Sequence, residues 1–131
     1  MNKLLSEVIE VFPAIPAGNP DAPITTDVYY EMSEARKILV YAAVSDLNDA
    51  DDFQLQLLQA TAADGTGSTD LGDPITVVGP AGDGFAEIQT EVVPQDMDIE
   101  DGFRFLGATI VSDNTEEAFC VFIVGDRRYN P

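Results

Sequence analysis

Carboxylates are the groups through which this chain could do chemistry, and they crowd into two short stretches, SDLNDADD (45–52) and DMDIEDG (96–102). Oxygen donors at that density suit a hard divalent cation such as Ca²⁺. A helix–loop–helix calcium site needs acidic or amide donors at alternate positions, Gly at the sixth place and Glu at the twelfth. Counted from Asp46, those places hold Asp51 and Leu57; counted from Asp96, they hold Asp101 and Gly107. The pattern fails twice, which leaves an irregular cation site or, more simply, solvated acidic loops. Two carboxylates can also cleave a glycosidic bond. With 24 acidic residues some pair is inevitable, and there is no tryptophan to stack on a sugar ring.

Other catalytic sets are missing their members. There is no histidine and a single cysteine, Cys120, which rules out an intrachain disulfide and the His-based nucleophilic pairs. Cys120 sits between Phe119 and Val121 with no nearby cation, and reads as a small buried hydrophobe. The glycine-rich turns at 65–67 and 79–84 lack the lysine and the following helix of a phosphate-binding loop. The expectation is a protein that is not an enzyme and has no cofactor.

Charge narrows the partners. The net charge is −18, and between Ile38 and Phe103 there are fourteen Asp or Glu and no Lys or Arg. Such a surface repels phosphate, so direct nucleic-acid binding is not expected. An acidic coat keeps a protein soluble; sharper uses are attraction to a basic partner or mimicry of DNA. No run of eighteen apolar residues is present, and Glu7 and Glu10 interrupt the opening MNKLLSEVIEVF, so no membrane or secretory segment is expected. One unpaired thiol points to synthesis in a reducing cytoplasm.

The elements that must position these residues are strands. FQLQLLQAT (53–61) alternates with Phe53, Leu55 and Leu57 facing in, and FAEIQTEVV (85–93) sets Ile88, Thr90 and Val92 against Glu87, Gln89 and Glu91. TTDVYYEM (25–32) reads as one half-buried strand with Val28, Tyr30 and Met32 inward. PITVV (74–78) opens on proline, as an edge strand does. PQDMDIEDG (94–102) predicts one helical turn, with Pro94 at its start and Gly102 at its end. KILVYAAV (37–44) and EAFCVFIVGD (117–126) are apolar on both faces and predict central strands, or strands whose second face a neighbouring molecule covers. FRFLGATIVS (103–112), DNTE and 117–126 together read as a hairpin. Seven or eight short strands with Gly and Pro turns predict an all-β, single-domain antiparallel β-sandwich or jelly-roll-like barrel over 24–131.

Ahead of it, PAIPAGNPDAP (13–23) holds four prolines, so residues 1–23 read as an extended N-terminal arm with a Pro-rich connector. Val8, Ile9, Val11 and Phe12 form the strand-prone part of that arm and are candidate partner contacts, by addition to a neighbouring sheet edge. At the other terminus Arg127 and Arg128, beside Tyr129, make the one basic spot outside 36–37, and Arg and Tyr are favoured in buried contacts.

The order TTDVYYEM, FQLQLLQAT, DGFRFLGAT (101–109) and the closing GDRRYNP (125–131) resembles the small structural proteins encoded near the major capsid protein in tailed bacteriophages, some of which are head decoration or cement proteins. The resemblance runs over residues 8–131 and involves no catalytic signature. It implies a β-sandwich, a homotrimer, that binds the major capsid protein on the outside of an icosahedral head and clamps neighbouring capsomers. It would be made in the host cytoplasm and end in the virion. The competing readings are a host- or glycan-binding virion appendage that uses the acidic loops, with or without Ca²⁺, and an acidic DNA mimic.

Overall fold

In the computed structural model the described residues are 9–20, 22–32, 37–48, 50–79, 84–112 and 117–125. Ten strands are present among them: β1 (Ile9–Gly18), β2 (Ile24–Thr25), β3 (Tyr30–Glu31), β4 (Lys37–Leu47), β5 (Asp52–Ala60), β6 (Thr69–Asp70), β7 (Ile75–Val78), β8 (Gly84–Val92), β9 (Phe105–Ser112) and β10 (Ala118–Gly125). They form an antiparallel β-sandwich. One sheet has the order β1-β10-β4-β8. In the other, β2 and β3 share one side of β9, β5 takes its far side, and β6 and β7 share the outer edge of β5.

Alternation builds the core as read. Phe53, Leu55 and Leu57 of β5, Leu106, Ala108 and Ile110 of β9, and Ala86, Ile88 and Val92 of β8 are buried in one cluster with the inward residues of β4 and β10. β10 and β4 are the two inner strands of their sheet and pair without a register shift from Ala118–Val44 to Gly125–Lys37. Pro94–Asp96 and Ile99–Asp101 are two 3-10 turns, and Gly102 closes the second at φ 91°, a left-handed conformation that glycine adopts without a Cβ penalty.

Three expectations are corrected. The stretch 103–126 is not a hairpin: β9 pairs with β5 in one sheet and β10 with β4 in the other. Both strands carry large residues that need burial, and the chain satisfies both by giving each sheet one of them as an inner strand, so that Leu106, Ile110, Cys120 and Phe122 share one core.

The strand expected over 25–32 is broken. Thr26 interrupts it, its backbone N–H donating to the Ala108 carbonyl at 2.9 Å while its hydroxyl accepts from the Ala108 N–H at 3.0 Å. Val28 is thereby turned out to solvent, 59% exposed, instead of inward with Tyr30 and Met32. Tyr29 is laid over the outer side of β9, where Gly107 leaves room for its ring. With Leu58, Ala60 and Phe105 it makes a second apolar cluster on that side.

Residues 9–18 of the expected arm belong to the sandwich as an edge strand along β10. Ile9–Phe12 pair with Phe122–Gly125; from Phe12 to Ile15, and again from Ile15 to Gly18, three residues of β1 oppose two of β10. Each bulge contains a proline, Pro13 or Pro16. Proline has no N–H to give to a ladder, and an edge strand with bulges is where a sheet tolerates it. Phe12 stacks on Phe122 at 5.8 Å and meets Tyr30 edge-on at 5.2 Å. The Tyr30 hydroxyl also donates to Glu10 Oε2 at 3.2 Å, so β1 is tied to both sheets.

Glycine at 107 is a packing requirement. A Cβ there would fall inside the Tyr29 ring. Gly107→Ala is expected to cost about 1–3 kcal/mol, the usual range for an overpacked site. Combined with Tyr29→Ala it should cost much less than the sum of the two single losses. Urea titrations of the two single variants and the double measure this, and strict additivity would show that the ring does not lie over Gly107.

Candidate interaction surface

Two carboxylates of the 96–102 loop are engaged within the fold. In 96–102, Asp96 Oδ2 accepts from the Val93 N–H at 3.0 Å. Asp98 and the buried Gln59 clasp each other: the Asp98 N–H donates to Gln59 Oε1 at 3.0 Å, and Gln59 Nε2 donates to Asp98 Oδ2 at 3.1 Å. These bonds hold the two turns under the end of β5. The same turns line an open depression of about 390 Å³ that includes Met97, Ile99 and Glu100. In the loop after β5, the hydroxyl and N–H of Thr66 both donate to Asp64, which holds that exposed carboxyl below the usual aspartate value. Among the described residues no group of three or more acids, cysteines or histidines is placed to hold a metal ion.

Cys120 lies on the inner face of β10, fully buried, and burial pushes its thiol up to about 12 from an ordinary 9.0. It is a protonated packing residue at neutral pH.

The candidate partner residues divide. Val8, Arg127, Arg128 and Tyr129 lie outside the described residues. Ile9 is the first residue of β1, opposite Gly125. Successive strand residues point to opposite faces. Phe12 accordingly turns into the aromatic group with Phe122 and Tyr30, and is a core contact where a partner contact was expected. Its neighbour Val11 turns outward, 61% exposed, opposite Ile123.

Val11 is one corner of a surface that the reading of the termini missed. The two inner strands of the four-stranded sheet have an outer face, and it is apolar. Ile123 pairs with Leu39, Val121 with Tyr41, and Phe119 with Ala43. Continuing across the same rows onto β8, Leu39 meets Glu91, Tyr41 meets Gln89, and Ala43 meets Glu87. Phe119, Val121, Ile123, Leu39 and Tyr41 are half-buried, whereas the inward residues Cys120, Phe122, Val124, Ile38 and Val40 are fully buried. Phe85, at the start of β8, is 57% exposed on the outer side of the same strand.

Polar groups border this face along β8. The Tyr41 hydroxyl donates to Glu87 Oε2 at 2.6 Å; that bond, with slight burial and the nearby charge, holds the hydroxyl above the usual tyrosine value. Tyr41 also lies tilted against Phe119, with ring centroids 6.0 Å apart. Lys37 Nζ is 3.9 Å from Glu91 Oε1, an exposed pair of small energetic weight. The signal for this face was in the sequence, since 37–44 and 118–124 read as apolar on both sides. The sandwich buries one side of each strand and leaves the other half-covered.

No protein-family model and no curated protein sequence matches the chain. Solved structures do match its fold. A chain of the cowpea mosaic virus top component, the naturally occurring empty particles, aligns over 93% of this chain and 89% of its own length, with a TM-score of 0.53 and 14% identity. The PBSX exported protein XepA aligns over all of this chain and 41% of its own length, with a TM-score of 0.59 and 14% identity. At that identity the likeness establishes the β-sandwich fold alone. Among the described residues no helix is long and apolar enough to cross a membrane.

The thiol supplies a test of the core. The folded chain keeps Cys120 protonated up to about 12, while an exposed thiol ionises near 9.0. Its contribution is therefore whole below pH 9 and is lost as pH rises towards 12, at a slope of about 1.4 kcal/mol per pH unit. Stability measured against pH for wild type and Cys120→Ala should show this extra alkaline loss in wild type alone. Parallel curves above pH 9 would contradict the burial of the thiol.

Proposed function

We propose that this chain is a virion structural protein, a head decoration protein that binds the outside of a bacteriophage capsid, stabilises contacts between capsomers and performs no catalysis. The observation that carries the reading is the fold match: the sandwich superposes over 93% of its length on a chain from cowpea mosaic virus particles. The order of the sequence motifs, with DGFRFLGAT (101–109) and GDRRYNP (125–131), resembles phage head proteins and supports tailed-phage heads as the particle in this reading.

The physical demands of such a role fit the molecule. A decoration protein needs a stable body and a contact surface. The body is a core of two interlocked sheets in which, among the described residues, no buried side-chain polar atom lacks a hydrogen-bond partner. Its copies are fixed on a lattice, so contacts that are weak singly add up to firm attachment. The partner in this reading is the major capsid protein, and the site of action is the capsid exterior after synthesis in the host cytoplasm.

Co-sedimentation with expanded, DNA-free heads of the phage that encodes the chain tests the role. Binding should saturate at a fixed ratio of chain to capsid protein, and decorated heads should resist heating better than bare ones. A chain that stays in the supernatant at saturating concentration would end the proposal.

A further inference from the structure

We infer that the outer face of the four-stranded sheet is the docking surface, and that it takes a protein surface whose apolar side chains are flanked by lysine or arginine, not a second copy of this chain. The inference rests on the capsid-binding reading for the identity of that partner, which is then the outer surface of the capsid.

Three observations support it. First, the face is continuous. Ile123 with Leu39, Val121 with Tyr41, and Phe119 with Ala43 form three successive rows, and Val11 extends the first row onto β1. Strand spacing and rise make this roughly 10 Å by 14 Å. Secondly, the molecule treats its two outer faces differently. On the six-stranded sheet Leu58 and Ala60 are buried in a cluster with Tyr29, which the chain has left its ladder to deliver. On the four-stranded sheet Ala43 is buried but Leu39, Tyr41, Phe119, Val121 and Ile123 are only half-buried, and Val11 and Phe85 are exposed at 61% and 57%.

Thirdly, charge and area select the occupant. Glu87 and Glu91 line the β8 side of the face, on a chain whose net charge is −18. Two copies meeting here would bring like charges together, and a patch of this size falls well short of the roughly 800 Å² per partner that stable association buries. A partner with an apolar centre and a basic margin meets both the rows and the glutamates. A surface too small for tight binding one copy at a time is suited to a lattice that presents the contact repeatedly.

The test uses expanded heads as the probe and the full chain carrying Val121→Lys, the pair Glu87→Lys with Glu91→Lys, or Val78→Lys as a control on β7. Val121→Lys should weaken binding by at least about tenfold, the effect of losing a central apolar contact. The double glutamate variant should weaken it about tenfold at low salt, with the difference shrinking as salt rises. Val78→Lys should bind as wild type does. If Val121→Lys fails to fold, the exposed glutamate pair decides the matter alone. Wild type binding with both face variants unaffected would overturn the docking surface and leave the capsid role standing. Wild type failing to bind heads would remove the capsid role, and this surface with it. Sedimentation velocity gives the last arm: face variants that lower the oligomeric state would make a second copy the occupant and overturn the inference.

Discussion

β10 and β4 pair along eight residues with no slip, and the rest of the molecule is arranged around that ladder. A one-residue shift in a strand exchanges its two faces. Here it would send Phe122 and Cys120 outward and bring Phe119, Val121 and Ile123 into the core. The bulky inner set therefore fixes the register, and the register fixes what the outer face displays. β8 and β1 then flank the pair, β8 in unbroken pairing from Val44–Ala86 to Ile38–Val92 and β1 through two proline-containing bulges.

The bulged edge has a second consequence. An unpaired strand edge is a template for unwanted association, and prolines and bulges blunt it. β1 keeps Phe12 in the core through its stack on Phe122 and its edge contact with Tyr30, while Pro13 and Pro16 disrupt the edge that a neighbour would otherwise extend. On the far edge, β8 alternates Glu87, Gln89 and Glu91 outward, which defends by charge. Both edges are thus poor sites for strand addition, in keeping with the proposal that a partner docks on the face between them.

Much of this was legible in the sequence. Period-two alternation gave the inward residues of 53–61 and 85–93, proline placed β7 at an edge, and the doubly apolar runs 37–44 and 118–124 came out as inner strands. Alternation says which residues share a face but not which sheet a strand joins, so 103–126 was read as a hairpin when its halves lie in different sheets. The break at Thr26 was hidden because the group it bonds, the Ala108 backbone, lies 82 residues away in sequence. Proline density made 13–23 look detached, since local rules forbid proline in a central ladder but are silent on a bulged edge. At the site, Val11 and Phe12 were grouped as neighbours, although a strand sends adjacent residues opposite ways. The apolar outer face was implied by the two-sided runs 37–44 and 117–126, which a sandwich covers on one side only.

In the proposed arrangement one strand pair, β10 and β4, serves the core with its inner face and the capsid with its outer one. Hydroxyl-radical footprinting of the chain, free and bound to expanded heads, measures both faces at once. Tyr41, Phe119 and Phe85 should be labelled in the free chain and protected on heads, Phe122 unlabelled in both states, and Val28 and Val78 labelled equally in both. Equal labelling of Tyr41 and Phe119 with and without heads, under conditions where the chain is bound, would contradict it.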